Sequence, residues 1–403
     1  KPSINITSPS SSQFFTALDT INITGVVSDE TTVESISISL NNSNNISVAS
    51  SVFLVPNTKE ILLNENIVID NINLQGGQYS LSVLAKDGSN TTTEFIDVYI
   101  NEYPKLRNGV FVFSNSGLTT VITKLDSVFN PSNHSTVLGD FLGGYVNSQT
   151  QEVISCGNLT GDLKGIDINS GLANWSINNT SSVLSYFTGI AIGDNEVYLS
   201  DYDRNIQSYQ GSGVPIFNAQ ALVDNHSTLT YVHDDDLLIT EQKVNVGSGV
   251  NVVVYYLSTG IEKQNLILNE DVISMFSRSS NEAVLFTNSG GNGKVKIFDI
   301  NQNSTWEPFS LNSGLIDDCT EISLGVYLIA QNGDLTVVNL NNYTKTLYAS
   351  GVNASKVKYD DLTNQLFVVS GLELSGYDYS SKIKMTSYIN SEVILDFDFW
   401  YNK

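Results

Sequence analysis

The chain has 403 residues, 41% of them hydrophobic and only 15% charged, and 19 basic against 42 acidic residues leave a formal charge of −23. So acidic a surface repels nucleic acid and anionic membranes, and three arginines (Arg107, Arg204 and Arg278) are too few for a polyanion-binding face. No run approaches the roughly 18 apolar residues that a membrane-spanning helix needs, and sparse charge suits an exported β protein.

Lys1-Pro2-Ser3 already lies in strand-like sequence, which reads as a mature chain whose export signal has been removed. Ile4-Asn5-Ile6-Thr7, Ile21 to Asp29 and Ser35 to Leu40 alternate apolar and polar residues. In Gly77 to Gly88, Tyr79, Leu81, Val83 and Ala85 fall on every second position, so one face is buried and the other solvated. Asp87-Gly88-Ser89-Asn90 then turns the chain into a last strand, Glu94–Ile100. Six or seven short strands without helical period predict a β-sandwich over residues 1–101. A linker at 102–107, marked by Tyr103-Pro104-Lys105, separates it from residues 108–403.

Beyond the linker a short apolar run recurs seven times: Val110–Phe113, Val153–Ser155, Val197–Leu199, Leu237–Ile239, Ala283–Phe286, Val326–Ile329 and Leu366–Val369. Their starts are 43, 44, 40, 46, 43 and 40 residues apart, the period of a β-propeller blade. Taken as strand B of each blade, the runs are followed by a strand C with its own echo. Gly165-Ile166-Asp167-Ile168, Ile297-Phe298-Asp299-Ile300, Val337-Val338-Asn339-Leu340 and Gly376-Tyr377-Asp378-Tyr379 share it. The first blade lacks a strand A, and one alternating run, Val393 to Trp400, is left over at the end. That run is predicted to complete the first blade and remove an open sheet edge, giving an all-β fold with a seven-bladed propeller, six or eight blades being the neighbouring counts. Cys156 and Cys319 then fall on blades two and six, too far apart for a disulfide, and read as independent buried thiols.

On Pro2–Pro9 and Gly77–Asp87 the first unit resembles a bacterial immunoglobulin-like module. By strand order and the hydrophobic-hydrophobic-Asp end of strand C, the second resembles the YVTN and quinoprotein-like seven-bladed propellers. The order of the two units, with the acidic, Asn/Ser-rich composition and the terminal Phe-Trp-Tyr-Asn-Lys, resembles exported surface lipoproteins of Bacteroidetes, whose lipidated cysteine would precede Lys1. That resemblance implies a cell-surface protein on the extracellular face of the outer membrane. It implies capture of a small ligand, a ferric siderophore or cobalamin, for a TonB-dependent outer-membrane transporter. The alternative is an adhesion or structural protein whose propeller is a protein–protein platform. Fourteen Asn-x-Ser/Thr tripeptides, Asn5, Asn22, Asn90, Asn158, Asn225 and Asn353 among them, are glycan acceptors or a by-product of composition.

Catalytic motifs are missing from the sequence, so no enzyme and no cofactor is expected. His134, His226 and His233 have no zinc-ligand spacing. Asp234-Asp235-Asp236 reads as a solvated hairpin turn, with a cation site as the alternative, and Gly290 to Gly293 as a flexible B–C loop. The candidate ligand site sits where the D–A and B–C loops converge. Blade three puts Tyr186 and Phe187 at the start of strand A and Asp201, Tyr202, Asp203 and Arg204 in its B–C loop; blade four adds Glu241 and Lys243 to the same rim. There the Arg204 guanidinium could clamp a carboxylate or catecholate while tyrosines stack on a ring; the alternative is an ordinary Arg204 ion pair with Asp201 or Asp203. Arg278, placed midway down strand A of blade five, is the candidate to line the channel.

Overall fold

The structure, a computed structural model, describes residues 1–179, 186–193 and 196–403. Two compact units divide between Lys105 and Leu106. In the first, strands Ser3–Ser8, Thr20–Val33 and Thr58–Val68 form one sheet. Five strands, Gln13–Thr16, Thr91–Asn101, Gly77–Lys86, Ser35–Asn41 and Val52–Leu54, form the other in that order. Ile21, Ile23, Ile36, Ile38, Leu81, Val83 and Ala85 are wholly buried between them, as the alternation requires. The eight strands exceed the six or seven expected because Gln13–Thr16 and Val52–Leu54 are too short to show a period.

The second unit contains seven four-stranded antiparallel sheets among the described residues. Strands A of blades two to seven are Gly143–Asn147, Phe187–Gly193, Asn225–His233, Asp271–Ser279, Ile316–Ser323 and Lys356–Asp360. Each recurring apolar run falls in a strand B. Those strands are buried on both faces, as in Glu152–Cys156, because a neighbouring blade packs on each side. That is why they read as continuous apolar runs and not as alternation.

Blade one is made from both ends of the unit. Its strand B, Arg107–Ser116, pairs antiparallel with Ile394–Tyr401, in register from Trp400 opposite Gly109 to Asp396 opposite Phe113, with a register shift at either end. Successive A strands lie against each other, blade seven's against blade one's, so the ring closes as the leftover run predicted.

The strand C echo has a physical cause. Asp167, Asp299, Asn339 and Asp378 each accept a hydrogen bond from a backbone N–H two or three residues on, at 2.7–2.9 Å, which caps the C–D turn. The next residue then donates its own N–H to the blade's A–B turn: Ile168 to Gln151, Ile300 to Asn281, Leu340 to Gly325 and Tyr379 to Asn364, at 2.8–3.1 Å. One dipeptide thus ties two turns together, and Ile168, Ile300 and Leu340 add wholly buried side chains.

Both cysteines are free and buried. Asp234 and Asp235 occupy an A–B hairpin turn at φ 52° and 57°, the left-handed conformation that Asp tolerates, so the triad is a turn.

Candidate binding face

The B–C and D–A connections emerge at one end of the propeller, and the expected site residues lie there, but most of them serve the fold. Phe187 is 2% exposed and belongs to the core shared by blades two and three, with the Tyr186 ring 5.4 Å away. Tyr186 accepts the Tyr202 N–H at its carbonyl, 2.8 Å. Asp201 is buried, which raises its pKa, and its carboxylate caps the B–C turn by accepting the Asn205 N–H (3.0 Å) and side-chain amide (2.8 Å).

Arg204 departs from both readings of it. Its Nε donates to the carbonyls of Ala221 (2.9 Å) and Leu222 (3.0 Å), and its Nη2 donates to Ala221. One bidentate edge of the guanidinium, Nε with Nη2, therefore holds the backbone of its own D–A connection. A φ of 75° at Arg204 turns the side chain that way. Arg278 sits near the end of its strand, not midway, and pairs with Glu282 at 3.4 Å.

Glu241 is 2% exposed and stitches blade four to blade five: one oxygen accepts the Val272 N–H at 2.7 Å and the other the Thr228 hydroxyl. Burial raises its pKa against these bonds. Lys243 reaches Asp271 at 2.8 Å and Glu241 at 3.8 Å. Desolvation, the largest single effect, works against its charge, but the Asp271 hydrogen bond and the nearby charges of Glu241 and Asp271 together outweigh it and the pKa rises.

Between blades four and five these groups border a cleft of about 700 Å³, lined by His226, Lys243, the loop 247–250, Asn269, Glu270, Asp271 and Ser289 among others. Beside it, Glu270 binds Lys294 at 2.6 Å, Lys296 at 3.4 Å and the Thr287 hydroxyl at 2.8 Å. The His226 ring packs on Tyr202, centroids 5.0 Å apart. Its Nδ1 lies 2.8 Å from Asn245 Oδ1, an oxygen that only accepts, so Nδ1 donates there and Nε2 is the ring nitrogen left to face the cleft.

Of the residues that sequence reasoning placed on the rim of blades three and four, Lys243 lines this cleft and Tyr202 backs it through His226; His226, Glu270 and Asp271 were not among the site residues. A signal was there: His226 and Asp271 stand at the start of strand A, the position at which Phe187 was singled out in blade three.

A second polar group, unforeseen, faces inward from the A strands of blades six, seven and one. The Lys358 ammonium lies 3.0 Å from Asp398 and 3.7 Å from Asp396. Asp398 also accepts the Val146 N–H and Asp318 the Val357 N–H, both at 2.8 Å. Among the described residues no three His, Cys, Asp or Glu side chains gather as a metal ion needs.

Residues 2–93 match the family model of the bacterial Ig domain. No curated protein matches the chain. Among solved structures, the chain is similar to Kuenenia stuttgartiensis hydrazine synthase (TM-score 0.51, 11% identity, 71% of this chain and 97% of that one). It is likewise similar to a functionally unknown protein from Desulfotomaculum acetoxidans (TM-score 0.53, 13% identity, 73% of this chain and 99% of that one). BamB from Moraxella catarrhalis aligns at TM-score 0.46 and 13% identity over 72% of this chain and 88% of its own. At these identities the likeness is one of fold alone.

Proposed function

We propose that this protein is an exported, non-catalytic binding protein of the bacterial cell surface. In this reading the loop face of the propeller captures a small polar ligand for an outer-membrane transporter of the TonB-dependent type, and the Ig-like unit is a spacer. The observation that carries the reading is the cleft of about 700 Å³ between blades four and five, a size within the range of about 300–1,000 Å³ of small-molecule sites. The Ig match adds support, since such domains are typical of surface proteins. With Arg204 engaged by Ala221 and Leu222, selection falls to the cleft and not to a guanidinium clamp.

A thermal-shift screen against ferric siderophores, cobalamins, haem and oligosaccharides tests this. A ligand at a hundred times its Kd adds about 2.7 kcal/mol. A raised Tm that Ser248→Trp, a bulky side chain on the cleft wall, diminishes supports capture at the cleft. No shift with any class would sink the reading and turn attention to a protein partner.

A further inference from the structure

The charged groups at the cleft satisfy one another. Lys243 is held by Asp271 and Glu241, and Glu270 by Lys294 and Lys296. Three positive and three negative side chains thus cancel, on a chain whose overall charge is −23. An ionic ligand of either sign gains no net attraction here and has to compete with pairs already formed at 2.6 and 2.8 Å.

The uncharged groups are the ones left over. His226 Nε2, the Asn269 amide and the hydroxyls of Ser248 and Ser289 line the cleft and hydrogen-bond to no described residue. Val244 and Val250 add apolar surface, and Gly247, Gly249 and Gly290 line the wall without side chains, so a ligand can approach the backbone closely. Tyr202, packed on His226, holds that ring in place. Asn288, by contrast, is spent: its amide exchanges two bonds of 2.9 Å with the backbone of Ile316 in blade six.

We infer that the ligand of this cleft is a neutral, polyhydroxylated molecule, a saccharide, recognised by His226, Asn269, Ser248 and Ser289. Hydroxyl groups both donate and accept, so they suit a wall that mixes an imidazole nitrogen, an amide and two hydroxyls, and they leave the flanking ion pairs intact. This rests on the capture reading and narrows its ligand class away from anionic iron complexes.

Isothermal titration of the full chain with neutral cello-, xylo-, malto- and manno-oligosaccharides, and separately with an iron(III) tris-catecholate complex, tests it. One series is expected to bind, and Asn269→Gly, which suits the φ of 55° there, and His226→Ala are each expected to weaken it about tenfold, the loss of one hydrogen bond to the ligand. Asn269 lies in an exposed loop, so its variant carries the test if His226→Ala fails to fold. Saccharide binding that neither variant weakens overturns the site. Catecholate binding without saccharide binding overturns the ligand class but leaves capture standing, and binding by neither, with no shift in the wider screen, overturns both.

Discussion

The Arg107 guanidinium donates to the Asp360 carboxylate at 2.6 Å, joining strand B of blade one to the end of strand A of blade seven. Asp360 is wholly buried and the Arg107 side chain nearly so, and the pair is fully engaged. Asp360 also accepts the Tyr401 hydroxyl (2.9 Å), while Arg107 reaches Gln365 (2.8 Å) and lies over the Phe367 ring at 4.8 Å. The seam where the two ends of the propeller meet is therefore held by charge as well as by the ladder.

Removing one partner leaves the other ionised and buried. Asp360→Ala is expected to cost about 3–5 kcal/mol, and Arg107→Met combined with it less than the two single changes added together. Urea denaturation midpoints of the three variants check this; additive losses would show that the pair does not couple the blades.

Ring closure makes a second prediction. Deleting residues 394–403 leaves the ladder of Arg107–Ser116 unpaired along one side. Association through that edge is expected, seen as oligomers in size-exclusion chromatography. Phe397→Ala, at a wholly buried position in the same strand, is expected to cost about 3–5 kcal/mol without exposing the edge.

Glu241 predicts a pH dependence of unusual sign. Burial raises its pKa in the folded protein, so between the ordinary Glu value, about 4.3, and the raised one the folded state binds more protons than the unfolded. Its contribution to stability therefore falls as pH rises through that window. Glu241→Gln removes the effect, and Gln can still accept the Val272 N–H. The stability of the variant relative to wild type is expected to increase from pH 4 towards pH 7, measured by denaturant midpoints; a flat difference would contradict the burial argument.

Cys156 and Cys319 are buried, and burial pushes both thiols well above their ordinary pKa. Neither is expected to react with a thiol reagent in the native protein, and both are expected to react once it is denatured. Fast labelling of either in the folded chain would mean that its blade opens locally.

Blade count, strand assignment and ring closure were legible because each rests on patterns within one stretch of chain. A strand B buried on both faces reads as a continuous apolar run wherever it occurs, and the Asp that ends strand C caps a turn only two or three residues ahead. Even the purpose of the leftover run could be read, since the first blade lacked one strand and the chain had one to spare.

The binding face was not legible in the same way. Arg204 stands beside Asp201 and Asp203 in sequence, yet its guanidinium binds the carbonyls of Ala221 and Leu222, which the intervening C and D strands bring back to it. The cleft is assembled from two blades: His226 and Lys243 come from blade four, Glu270 and Asp271 from the entry to blade five. The sequence by itself determined the period and hence the architecture, because burial acts on each strand locally. Which charges are spent on one another and which neutral groups stay free was decided only by tertiary structure, because hydrogen-bond partners are chosen by proximity in space.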